Sequence, residues 1–257
     1  MRKVFLVTFL SFIAVSSFAQ NKKERREANR NKINAMIKQE EDGIIAYQKS
    51  FAVGGKLIND GYGVFFEIGR AKSLNKAILF QLELSERKHP KEEKQSNLFN
   101  YSTPFIFGKQ NFFYPIKLGV QQQMLFGNKS NKNGVSVTYN YGGGVIAGLL
   151  RPYYLQLGAS GDYIKYDSQD SISFLDPSSI SAGPGFNKGW SDMQVRPGLY
   201  AKTALRFDYG SYNEMISAIE VGISGEIYSK KIPIMVRSTA KQFFFTGYVS
   251  ILFGRRK

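Results

Sequence analysis

The chain contains no cysteine. A disulfide framework, thiolate metal sites and thiol catalysis are therefore excluded. It has one histidine and one tryptophan. A metal site would have to be built from carboxylates alone, and no such spacing is present, so no metal or other cofactor is expected. Long apolar runs are missing after the first segment. Polar residues interrupt every later stretch at each second or third place, whereas a spanning helix needs about 20 apolar residues. Acid is scarce: 20 Asp and Glu stand against 35 Lys and Arg, a formal charge of +15.

A basic balance of this size often points to nucleic acid. The opening segment argues otherwise. Met1-Arg2-Lys3 is a short basic stretch, Val4 to Ser16 is almost wholly apolar, and Ser17-Phe18-Ala19 places small residues before Gln20. That is the three-part pattern of a secretory signal peptide, with cleavage expected after Ala19. Removing Arg2 and Lys3 lowers the charge only from +15 to +13. For an exported chain the expected counterions are outer-membrane lipid, lipopolysaccharide phosphates or an acidic protein, and no nucleic acid.

Residues 20–49 differ from all that follows. Lys22, Lys23, Arg25, Arg26, Arg30, Lys32 and Lys38 make a basic arm, and Ile33, Met36 and Ile37 carry helical spacing. A short amphipathic helix is expected there, ending near Asp42-Gly43. Basic residues first and Glu40, Glu41 and Asp42 last oppose the helix dipole, so the helix should be weak in isolation.

From Ser50 the period changes to two. Tyr62, Val64, Phe66 and Ile68 alternate with Gly63, Phe65, Glu67 and Gly69. Phe80, Leu82 and Leu84 alternate with Leu79, Gln81 and Glu83, and Ile219, Val221 and Ile223 with Glu220, Gly222 and Ser224. Eight such segments are expected, at about 50–58, 61–71, 76–86, 110–126, 134–149, 194–208, 213–228 and 242–253. Strands of about 10 residues with one apolar and one polar face are the pattern of a transmembrane β-barrel. Pro115 and Pro197 conflict with a closed ladder and should sit at bulges or strand ends. The connections 72–75, 127–133 and 209–212 are short and those at 87–109, 150–193 and 229–241 are long. With a periplasmic amino terminus, the long ones lie outside. Asn59-Asp60-Gly61 is a tight hairpin signal.

A soluble sandwich shares this alternation, so the polar face decides. It carries Lys56, Glu67, Glu83, Lys117, Arg196, Lys202, Arg206, Glu220 and Glu226 among many glycines. Five cations against four anions is nearly balanced, although the chain is strongly basic. A balanced set suits paired charges inside a narrow bore. Lys202 and Arg206 are expected to face Glu220 and Glu226. Phe126, Tyr209, Tyr212 and Phe253 fall at one set of strand ends, and Tyr62, Phe112, Tyr153, Tyr228 and Phe243 at the other. They read as two interfacial girdles. The expected fold is all-β: an eight-stranded antiparallel transmembrane β-barrel over 50–257, preceded by a short periplasmic helix.

Ala19-Gln20, the aromatic strand Phe243 to Phe253 and the basic tail Gly254-Arg255-Arg256-Lys257 resemble small outer-membrane barrel proteins of Bacteroidetes-type bacteria. Gly108-Lys109-Gln110-Asn111-Phe112-Phe113-Tyr114 and Asn131-Lys132-Asn133-Gly134-Val135 are similar to an uncharacterised subset of them. A looser likeness is to the small barrel components of the type IX secretion apparatus. The resemblance implies location and fold and brings no catalytic residues.

His89 lies in the charge-rich stretch Glu86 to Lys94, with Ser85 and Ser96 the nearest serines. Some eight-strand barrels are lipid-modifying enzymes that need a histidine base beside a serine. Nothing in the spacing positions either serine here, so His89 reads as a solvated loop residue and no enzyme is expected. Loop 150–193 carries Phe174, Phe186 and Trp190, an expected contact surface. The function that follows is a structural or partner-binding barrel, acting through its outer loops or its arm on a periplasmic or surface protein. A filled lumen would make it non-conducting. A small-solute channel or a lipid-modifying enzyme is the alternative.

Overall fold

The computed structural model describes residue 27 and residues 48–73, 75–95, 103–129, 134–158, 161–167, 171–210 and 214–257. The expected signal peptide and the helix of the basic arm lie outside the described residues, as does Tyr212.

Among the described residues there are thirteen strands: β1 (Lys49–Ile58), β2 (Gly61–Ser73), β3 (Lys76–Arg87), β4 (Lys94–Gln95), β5 (Phe105–Ile106), β6 (Asn111–Gly127), β7 (Ser136–Pro152), β8 (Tyr154–Leu157), β9 (Tyr163–Lys165), β10 (Ile180–Ala182), β11 (Gln194–Asp208), β12 (Met215–Ile232) and β13 (Lys241–Arg256). Eight of them close a ring in the order β1-β13-β12-β11-β7-β6-β3-β2. Every pairing in the ring is antiparallel, including the closing pair of β1 with β13. The fold is an eight-stranded antiparallel β-barrel. Closure gives each of the eight a neighbour on both sides and leaves no edge strand in the ring.

The period-two pattern explains the wall. Successive side chains of a strand point to opposite faces. In β1 burial alternates residue by residue from Lys49 to Leu57. The buried set faces the bore and the exposed set is the apolar one. Leu57 is 70 % exposed, Ile68 58 %, Leu118 57 % and Phe245 62 %. Soluble proteins bury such side chains, so this is the reverse of a water-facing sandwich.

Both chain ends of the barrel meet at one end, where Lys257 donates its N–H to Lys49 at 2.7 Å. The turns after β2, β6 and β11 lie there, and the opposite end carries the long connections. Described residues of those connections form further secondary structure. β8, β9 and β10 form a three-stranded sheet in the order β10-β8-β9, β4 pairs with β5, and a one-turn helix α1 (Ser171–Phe174) follows β9.

The two prolines behave differently. Pro197 lies near the start of β11, one residue before the β12 ladder begins at Gly198. Pro115 is at neither a bulge nor a strand end, contrary to expectation. The β3–β6 register is the same on both sides of it, at Leu84–Ile116 and Arg87–Phe113. The missing donor is accommodated by a gap in the ladder, where the Ser85 hydroxyl donates to the Pro115 carbonyl at 3.3 Å.

Glycine makes room inside. A Cβ on Gly119 would stand 2.3 Å from the Tyr200 hydroxyl, and one on Gly148 would stand 2.9 Å from both the Phe113 and the Tyr228 rings. Large aromatics therefore cross the bore over positions that only glycine can occupy without displacement.

Candidate functional site

The bore is the first candidate. Lys56, Glu67, Glu83, Lys117, Lys202, Arg206, Glu220 and Glu226 are all buried there. Arg206 donates two parallel hydrogen bonds of 2.7 Å to Glu67 and bonds Glu220 at 2.7 and 2.9 Å. Glu220 also accepts from Asn140 and Tyr248, each at 2.9 Å, with the Lys202 ammonium 3.5 Å away. Lys202 donates to Gln81 at 2.6 Å. Glu83 is shared by Lys56 and Lys117, the latter at 2.8 Å, and Lys117 lies 2.8 Å from Glu226.

Three sequence expectations are corrected. Glu226 does not face Lys202; it meets Arg87 at 2.6 Å, Lys117, and the Tyr228 hydroxyl at 2.8 Å. Arg196 is only half-buried and bonds Gln194, because it sits above the point where β12 joins β11. Tyr228 and Tyr153 are 1 % and 2 % exposed, so neither belongs to a girdle. Tyr228 shares the even-numbered face of β12 with Glu220 and Glu226, and that face looks inward. Sequence reading also missed Arg87, which continues the inward odd-numbered series of β3.

Bulk closes the bore at its loop end. Phe113, Ile146, Leu150, Tyr200, Tyr228, Ile232 and Ile234 form one apolar cluster. The 103–110 segment bends over it: Gln110 donates to the Ile234 carbonyl at 2.8 Å, and Gly108 takes a φ of 69° at the bend. Lys109 is buried there on Glu92 at 2.6 Å, its ammonium 4.3 Å from the Phe112 ring centre. Burial lowers its pKa from the usual lysine value, and Glu92 opposes that shift.

The contact loop divides. Phe174 is fully buried with Phe105, Tyr153, Leu155 and Ile180, in a small core under the loop, so it is not a contact residue. Phe186 and Trp190 are 77 % and 40 % exposed. They are held by Arg151, whose guanidinium lies 4.1 Å from the Phe112 ring and 4.6 Å from that of Trp190. Arg151 and the Trp190 indole both donate to the Phe186 carbonyl, at 2.9 and 2.7 Å.

The second candidate is a cavity of about 580 Å³ at the loop end, between Asn59-Asp60, residues 88–91, the 232–239 connection and the start of β13. His89 stands in it with Nε2 3.0 Å from the Ser238 hydroxyl. Its Nδ1 accepts the Lys91 N–H at 3.2 Å. In the neutral ring the proton is then on Nε2, which donates to Ser238. Ser85 is not the partner, since its hydroxyl donates to the Pro115 carbonyl, and Ser96 lies outside the described residues. Ser238 was missed because it lies 149 residues away.

No family model matches the chain, and no curated protein matches it in sequence. Among solved structures it is similar to Neisserial surface protein A, at 12 % identity and a TM-score of 0.40, covering 82 % of this chain and 96 % of that one. It is similar to the N-terminal β-barrel domain of Pseudomonas aeruginosa OprF at 10 % identity and 0.37, covering 81 % and 99 %. For Ail, the attachment invasion locus protein of Yersinia pestis, the figures are 8 %, 0.39, 82 % and 100 %.

Proposed function

We propose that this protein spans the outer membrane as a filled, non-conducting barrel and acts as a structural or partner-binding platform. One observation carries the reading: the apolar side chains of the barrel strands are exposed on the outer wall while the charges are packed inside. That arrangement is stable in lipid and not in water. The opening signal pattern supports export, and the girdle of Phe126, Tyr209 and Phe253 supports an interfacial rim at the termini end. The termini then lie in the periplasm and the long connections outside. Phe186 and Trp190, stapled to the rim by Arg151, are the exposed aromatic surface a partner would meet.

Transport is disfavoured by the bore. An eight-strand interior is just wide enough for side chains to fill it, and here ion pairs and aromatic rings do so. The purified protein in planar bilayers should give no steady conductance, while its gel mobility should still shift on heating. Reproducible open channels from folded protein would refute the filled-bore reading.

A lipid-modifying enzyme is the second reading, favoured by the contact of His89 with Ser238 inside a cavity. The orientation of that contact weakens it. A general base must present a lone pair to the nucleophile, and the Lys91 N–H occupies the nitrogen that has one.

A further inference from the structure

The loop-end cavity has a chemistry of its own. Lys88, Lys91, Arg237 and Lys241 line it, and among the described residues none of the four is in an ion pair. The one carboxylate in the wall, Asp60, lies 3.7 Å from the Arg87 guanidinium and is offset by it. The cavity is therefore strongly cationic, and like charges gathered without partners are a cost unless an anion joins them. A second cavity of about 230 Å³ shares Lys91, Met235 and Arg237 with the first but is also lined by Glu93, so the net basic lining belongs to the larger one.

The opposite part of the wall is apolar. Ile234, Met235 and Phe244 line it from the bore side. Phe243 and Phe245 line it from the outer wall of β13, 59 % and 62 % exposed. The cavity thus opens onto the surface that meets acyl chains. Its depth in the membrane is marked by Tyr62, an exposed aromatic at the loop end of β2, with the Lys88 ammonium 5.1 Å from its ring centre. Aromatics at strand ends sit at headgroup level.

The geometry points to a binding site for one phosphate-bearing acyl lipid of the outer leaflet, its phosphate among Lys88, Lys91, Arg237 and Lys241 and its chains along Phe243 and Phe245. A soluble phosphate would use the cations and leave the phenylalanines without a role; a neutral lipid would do the reverse. The volume, about 580 Å³, fits a sugar- or glycerol-sized headgroup. The site rests on the membrane reading above and names the lipid that such a barrel would hold.

The test uses the full mature chain refolded in nanodiscs of a phosphate-free glycolipid, digalactosyldiacylglycerol, doped with lipid A, or with the same lipid A stripped of its phosphates. Native mass spectrometry counts lipid retained per barrel. One phosphorylated lipid should stay bound, and the dephosphorylated lipid should not. Lys91→Glu with Arg237→Glu should weaken retention at least tenfold, while Lys188→Glu with Lys72→Glu, neither of them in the cavity lining, should not. Inorganic pyrophosphate should compete poorly. Equal retention of both lipids, equal loss in both variants, or displacement by pyrophosphate at matched concentration would overturn the site. Heat-modified gel mobility is read in parallel. If the wild-type barrel never forms in the discs, the membrane reading fails. If it forms and retains no lipid, only this site does. Arg237→Gln and Lys91→Gln, tested singly, serve where the double reversal does not fold.

Discussion

Arg206 on β11 reaches across the bore and grips Glu67 on β2 with two parallel hydrogen bonds of 2.7 Å. The two strands stand four places apart in the ring whichever way it is counted, so this pair spans a diameter. Arg87 on β3 and Glu226 on β12 form a second diametric strut at 2.6 Å. Pairs along a ladder hold neighbours together. These two hold opposite walls, and they set the cross-section that the glycines and aromatics then fill.

Breaking a strut should be expensive. Arg206→Gln leaves Glu67 and Glu220 buried with fewer partners, at a cost of about 3 kcal/mol or more. Glu67→Gln should cost less, because Arg206 keeps Glu220. Urea unfolding of the two single variants and the double variant in lipid vesicles gives the coupling energy. Simple additivity of the two single effects would mean that the strut is not formed.

The strands were legible because alternation is local. Expected and observed boundaries in the ring agree to within about four residues, the largest difference falling at the loop end of β12. The inward face was legible for the same reason, and the same parity contained Arg87 and Tyr228. Arg87 was lost to the charge-rich stretch around it and Tyr228 to its place near a strand end. The partners across the bore were not legible. Arg206 and Glu67 are 139 residues apart, and which levels meet depends on the stagger of the closed ring, which no single strand encodes. Phe174 and Ser238 were unreadable for a related reason: loop packing is set by non-local contacts with no period to follow.

If the outer wall meets lipid, charge on it should be costly at mid-depth. Val221 is exposed, lies near the middle of β12 and pairs with Val249 on one side and Leu205 on the other. Val221→Arg should destabilise the vesicle-embedded barrel by about 2–4 kcal/mol, and Val221→Leu should be nearly neutral. A neutral arginine variant would show that this face is wet.

Orientation can be read by labelling. Cysteines at Lys91 and Ser191, both in loop-end connections, should react with a membrane-impermeant maleimide on intact cells. A cysteine at Asn75, in the turn between β2 and β3, should react only after the outer membrane is opened. The reverse pattern would invert the barrel, and equal labelling at all three sites would remove it from the membrane.

His89 allows the binding and enzyme readings to be separated. Burial pulls its pKa below the ordinary value of 6.5; Lys91 and Lys241 add to that and Glu92 opposes it. A histidine with a depressed folded pKa contributes stability above its unfolded value, and that contribution is lost as pH falls through the folded one. Near neutral pH the ring should thus be uncharged, with its Nδ1 on the Lys91 N–H and its Nε2–H on Ser238. NMR of isotope-labelled histidine in the folded barrel should show a midpoint under 6.5 and the Nε2–H tautomer above it. Lipid retention in the cavity should then change little between pH 7 and pH 8, because the lysines and Arg237 carry its charge. A fluorophosphonate should leave Ser238 unmodified, since no base lone pair faces the hydroxyl. Stoichiometric labelling of Ser238 that disappears in His89→Gln would reverse the argument. The cavity would then be an esterase site, with the phosphorylated lipid as its substrate.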